Sequence, residues 1–212
     1  MKKSIIQKET LECDLEIKKQ FLKHFENEVE SFIGAISEAH TKWEKFDSNI
    51  CNSEQRAYIS AFIFNAITNL IVSMKLLIFG HVIPSGNLCR QVIESFSIAI
   101  LCSNIKLGYF EKIKKNKFEA NQALGSVLNS ADKFGVDETA AREINKIRKF
   151  YDNYSHPSLL SLTSLYQFDE TKQLFMGASF DNAKIPQYKK EINIRINLAN
   201  LISNIIDGIS IN

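Results

Sequence analysis

Two stretches of the chain hold residues whose types and spacing suit chemistry. The first is Arg148-Lys149-Phe150-Tyr151-Asp152-Asn153-Tyr154-Ser155-His156-Pro157, in which two cations lead a helical pattern to a histidine. The negative end of a helix dipole favours a cation, and a histidine there is suited to acid–base work. Lys149 and His156 are seven positions apart, two turns along a helix, and lie on nearly the same face. Asp152 stands four residues after Arg148, at the spacing that positions a guanidinium. Metal-independent cleavage of RNA needs little more. A histidine takes the 2′-hydroxyl proton or protonates the leaving 5′-oxygen, and a cation stabilises the charge developing on phosphorus. Tyr151 or Tyr154, if exposed, would stack a base beside those cations. The same spacing also suits an ordinary basic helix whose histidine is satisfied by a carbonyl.

The second stretch is Arg90-Gln91-Val92-Ile93-Glu94. Arg90 and Glu94 are four apart and meet on one face. Around them Leu88, Cys89, Val92, Ile93 and Phe96 leave only a narrow polar sector of Asn87, Arg90, Gln91, Glu94 and Ser95. This reads either as a solvated stripe or register-fixing ion pair, or as an arginine held by glutamate at a cleft for phosphate or carboxylate. His24, His40 and His81 lack acid or cysteine partners at ligand-like spacing, and His40 falls near an apolar stripe. Asn65 and Asn69, four apart on a very apolar helix, suggest an interhelical hydrogen bond or the edge of a pocket, with the structural reading favoured. No GxGxxG, Walker, GxSxG, HExxH or EF-hand signature occurs, and neither a metal nor a cofactor is expected.

Helices must position these groups, because the dominant period is helical. Leu22, Phe25, Val29, Phe32, Ile36, Ala39, Trp43 and Phe46 alternate steps of three and four along a long first helix over 11–46. Ser53 starts a second helix that runs to about Gly80, whose missing Cβ suits a left-handed terminus. A loop over His81 to Ser85, containing Pro84, leads to a third helix from about Gly86 to Asn104. Lys106 to Lys117 carries five lysines against one glutamate and reads as a solvated, partly helical connection. Phe118 to Phe134 is amphipathic. Asp137 caps the helix that ends near Ser155, where Pro157 biases His156 out of the α region. Leu165 to Phe180 is the least helical part and reads as a small β-hairpin or an irregular lid. Pro186 opens a last, isoleucine-rich helix.

Three prolines, eight glycines and 45% hydrophobic residues exclude collagen-like and disordered chains. A net charge of +2 gives no bulk attraction to nucleic acid, so such binding would rest on a local patch. Cys13, Cys51, Cys89 and Cys102 contain no CxxC pair and read as reduced thiols of a cytoplasmic protein, the latter two in the core. The N-terminus lacks the apolar run of a signal peptide. Ala57 to Gly80 is apolar enough to raise the question of a membrane, but Asn65, Asn69 and Lys75 favour a buried core helix. The expectation is one all-α domain over 1–212, an antiparallel helical bundle with a short hairpin near 165–180. Apolar surface on the first and last helices beyond what one bundle consumes suggests a homodimer.

Leu88-Cys89-Arg90-Gln91-Val92-Ile93-Glu94-Ser95, followed by Tyr154-Ser155-His156-Pro157-Ser158, resembles the HEPN superfamily (higher eukaryotes and prokaryotes nucleotide-binding). It looks like a bacterial branch with an Arg-x-x-x-Glu helix and a later Ser-His-Pro element, and the likeness spans about Tyr58 to Leu160. The resemblance implies a helical bundle, often dimeric. It also implies either a metal-independent endoribonuclease or RNA-binding effector of defence or toxin–antitoxin systems, or a silent module binding a protein or small ligand. The family motif sets four to six residues between an arginine and a following histidine. Here seven residues separate Arg148 from His156, and six separate Lys149 from it. His156 with Arg148 or Lys149 carries over as the catalytic set. Arg90 and Glu94 are carried over as supporting residues, and Asp152, Asn153, Tyr154 and Ser155, from the helical stretch that leads to His156, join them as supporting candidates. RNA and an antitoxin or other protein are the implied partners.

Overall fold

The computed structural model describes residues 6–7, 10–12, 15–156, 158–163, 165–166 and 178–211, and it is all-α. Among the described residues the principal helices are α1 (Leu15–Asp47), α2 (Glu54–Ile78) and α3 (Val82–Ser103). Short helices follow: α4 (Tyr109–Lys114), α5 (Ala123–Leu128) and α6 (Ala131–Phe134). Then come α7 (Glu138–Ser155), α8 (Leu159–Thr163) and α9 (Ile185–Ile211).

The apolar stripe of α1 is its core face: Phe21, Phe25, Val29, Phe32, Ile36, Ala39 and Phe46 are buried. The helix is broken locally at Phe25, whose φ of −135° and ψ of 20° lie outside helical values. Ser53 caps α2 by accepting the Arg56 N–H at 3.3 Å. Gly80, at φ +82°, turns the chain after α2, and a Cβ there would fall 2.6 Å from the Ser179 carbonyl oxygen. The α2–α3 pair makes the largest helix–helix interface, and α9 lies across α1, α2 and α3.

Three expectations need correction. The third helix begins at Val82 rather than near Gly86, because Pro84 sits in its first turn, where an N–H has no helical partner to lose. The 118–134 segment is not continuous but forms a 3₁₀ turn at Ala120–Gln122, then α5 and α6 with a break at Asn129–Ser130. The surplus apolar surface expected on the last helix is absent, since Ile192, Ile194, Leu198, Ile202, Ile206 and Ile209 are all buried. Exposed apolar side chains remain on α1, at Leu15 and Ile33, and stand also on α2, where Phe64, Ile71 and Val72 retain 43%, 45% and 40% exposure. The hairpin expected near 165–180 lies largely outside the described residues, among which no strand is present. Of the described helices, α2 alone is long and apolar enough to cross a membrane, and 39% of its most apolar stretch is buried inside the protein.

Candidate functional site

The C-terminal turn of α7 rests on the middle of α3, and the predicted polar residues meet there. Asp137 fixes the start of α7 by accepting the Ala140 N–H at 2.7 Å, and the helix then runs unbroken to Ser155. From α3, Arg90 Nε donates to Glu94 Oε1 at 3.0 Å and lies 3.3 Å from Asp152 Oδ1. Arg90 also donates from its terminal nitrogen to Ser155 Oγ at 2.8 Å, and Ser155 Oγ in turn donates to the Asp152 carbonyl at 3.0 Å. Arg148 approaches the second Asp152 oxygen at 3.9 Å and donates weakly to Asn145 Oδ1 at 3.4 Å. Two guanidiniums therefore share one aspartate, with Glu94 committed to Arg90 alone. Asn87, one turn before Arg90 and on the same face, keeps a buried side-chain oxygen with no hydrogen-bond partner among the described residues.

His156 ends α7 with an extended backbone, φ −125° and ψ 150°, as a residue before proline should, and it is exposed. Its carbonyl accepts Ser161 Oγ at 3.4 Å, and the Asn153 carbonyl accepts Ser158 Oγ at 2.6 Å. These hydroxyls satisfy backbone groups that the helix end leaves over. Asn153 spends its amide on the Phe150 and Lys149 carbonyls, at 3.1 and 3.4 Å. Lys149 is exposed, and among the described residues no ion pair or hydrogen bond engages its ammonium group or the His156 ring. The structure thus brings together Arg90, Glu94, Arg148, Asp152 and Ser155, with His156 next in the chain. Lys149 and Asn153 stand on the exposed side of the same turn.

Tyr151 and Tyr154 do something other than stack bases. They are 0% and 3% exposed and point into the core. Tyr151 donates to Glu191 Oε2 at 2.8 Å, and Tyr154 donates to Glu191 Oε1 at 2.7 Å. Glu191 pairs with Arg195 one turn along α9 at 2.8 Å, and both are buried. Arg195 further donates to Ser73 Oγ at 2.9 Å, Ser85 Oγ at 2.7 Å and the Glu191 carbonyl at 2.7 Å. Ser73 passes its own hydrogen bond to the Ser85 carbonyl at 2.8 Å and lies 3.1 Å from Cys89 Sγ. Burial opposes the Arg195 charge, but Cys89, Tyr151 and Glu191 outweigh it and hold the guanidinium protonated. Burial raises the pKa of Tyr151 and Tyr154, with Cys89 and Glu191 adding to it for Tyr151 and Glu191 for Tyr154. This network ties α9 to α2, α3 and α7, and it escaped the sequence reading. Its one signal is a Glu-x-x-x-Arg pair set among isoleucines, the mirror of Arg90–Glu94.

The fold and site together define a helical protein with an arginine-rich, partly buried ion-pair cluster beside an exposed histidine. Searches of known family models, curated proteins and solved structures return no match for this chain.

Proposed function

We propose that the chain is a HEPN-like, metal-independent endoribonuclease or RNA-binding effector, acting at the end of α7. The observation that carries this reading is the convergence of Arg90 and Arg148 on the single carboxylate of Asp152, four residues before exposed His156. Glu94 and Asp152 together balance the charges of Arg90 and Arg148, so the surplus positive charge offered to a phosphodiester is that of exposed Lys149, which pairs with no carboxylate among the described residues. In this reading His156 is the acid–base group and Arg148 or Lys149 steadies the charge on phosphorus. Asp152 steadies the Arg148 guanidinium, and Glu94, Asp152 and Ser155 fix Arg90 beside it. The 2′-oxygen attacks phosphorus as its proton leaves, the 5′-oxygen departs with a proton, and a 2′,3′-cyclic phosphate results. Tyr154 serves as a core anchor for the turn rather than as a base platform.

The helices are joined in sequence by short connections at 48–53 and 79–81, which supports an antiparallel bundle forming one domain. A cytoplasmic homodimer is proposed, its apolar face on α2 rather than α9, with an antitoxin-like protein as a further partner and no membrane required. A second reading, a silent interaction module, is favoured by one observation. Arg90 is already engaged by Glu94, Asp152 and Ser155.

The test is incubation of purified protein with a mixed, end-labelled single-stranded RNA pool in EDTA, beside His156→Ala. The nuclease reading expects cutting with cyclic phosphate ends by the parent chain and none by the variant. RNA retention in a gel without cutting supports the binding form. Neither cutting nor retention leaves the silent module.

A further inference from the structure

Away from the α7 terminus, an apolar cavity of about 240 Å³ opens between α3, α5, α7 and α9. Its walls include Phe96, Ile100, Val127, Ala141, Ile144 and Ile205. Cavities of roughly 150 Å³ with such linings admit a benzene-sized guest, so this one has room for a longer apolar group. Ser103, Phe134 and Gly135 line this cavity and also a second, more polar cleft of about 410 Å³ that holds Asn104, Lys106 and Lys133. The two spaces therefore meet at a shared rim, one greasy and one basic.

The rim is built rather than frayed. Asn104 donates from its side chain to the Lys133 carbonyl at 3.2 Å and accepts the Lys106 N–H at 3.2 Å, so one residue holds both lysine-bearing segments. Lys106 and Lys133 are exposed, and no described carboxylate pairs with either ammonium group. The apolar cavity also touches Asp137, whose carboxylate caps α7 and disfavours an anion on that wall. Charge complementarity thus places an anionic head on the lysine side and an uncharged tail within.

We propose that this paired space binds an amphiphilic carboxylate, an unbranched alkyl chain of roughly eight to ten carbons, with its head at Lys106 and Lys133. Burial of the tail supplies the affinity, and the two exposed cations supply the preference for a charged head. The site does not depend on ribonuclease activity, since it shares no residue with the α7 terminus.

Titration of the full-length protein with sodium decanoate and with decanol, followed by calorimetry, tests this. Decanoate is expected to bind more tightly than decanol, and Lys106→Ala with Lys133→Ala to weaken decanoate about five- to tenfold while leaving decanol unchanged. Gly208 stands exposed at the cavity's edge, and a Cβ there meets nothing within 4 Å, so Gly208→Phe should fold and is expected to obstruct the entrance with its ring. Loss of both ligands in that variant, with its thermal unfolding unchanged, supports the assignment. Equal binding by parent and Gly208→Phe, or binding of neither ligand by the parent, overturns it.

Discussion

The Glu191 carboxylate accepts from two tyrosine hydroxyls and from the Arg195 guanidinium, all sealed from water. Replacing it by glutamine strands a buried charge, and Glu191→Gln is expected to lower stability by about 3–5 kcal/mol, measured as a fall in the urea midpoint. Tyr154→Phe removes one hydrogen bond and should cost about 1–3 kcal/mol. The phenols also set an alkaline limit. Their folded-state pKa values lie above the unfolded value near 10, so above about pH 10 the unfolded chain binds fewer protons and stability falls as pH rises. The urea midpoint should drop between pH 9 and 11, approximately, and less steeply in Tyr154→Phe. Thiol chemistry sorts in the same way. Burial pushes Cys102 up to about 12 and raises Cys89, whereas Cys51 is exposed. Alkylation followed by peptide mapping should label Cys51 in the native protein, and Cys89 and Cys102 only in denaturant.

At the scale of elements, α3 and α7 touch where Gly86 gives the tyrosine rings room. A Cβ at Gly86 would stand 2.9 Å from Tyr154 Cγ and 3.1 Å from Tyr151 Cδ1. Gly86→Ala is therefore expected to cost about 1–3 kcal/mol by overpacking and to lower Tm by about 2–4 °C per kcal/mol, read by circular dichroism. Much of this level was legible in the chain. The α1 stripe, the Ser53 and Asp137 caps and the turn at Gly80 follow from local rules, and so do the Arg90–Glu94 and Arg148–Asp152 spacings. What crosses between helices was not. Nothing periodic tells that Asp152 answers Arg90 as well as Arg148, or that Tyr151 turns inward to meet Glu191, forty residues later. Such pairings are chosen by tertiary packing, which leaves no mark at a spacing of three or four. Pro84 misled for a related reason: the same residue breaks a helix interior and suits a first turn.

For the whole molecule, the exposed apolar residues of α2 bear on assembly. The Trp43 ring of α1 lies 4.6 Å from Phe64, so the aromatic surface spans two helices. If this face joins two protomers, sedimentation equilibrium should return twice the chain mass of 24.2 kDa, and Phe64→Glu should return it once. A parent chain that sediments at 24.2 kDa removes the dimer from the proposal. The cradle of Arg195 has a further consequence, in time rather than space. Synthesis delivers Ser73, Ser85, Tyr151 and Tyr154 before Glu191 and Arg195, so every partner in the network waits for the last helix to emerge. Until then the emerging chain carries bare apolar faces on α1, α2 and α3 that α9 will cover, the condition under which growing polypeptides stick to one another or recruit chaperones. Docking of α9 then covers those faces and gives the stranded hydroxyls their hydrogen-bond partners in one event.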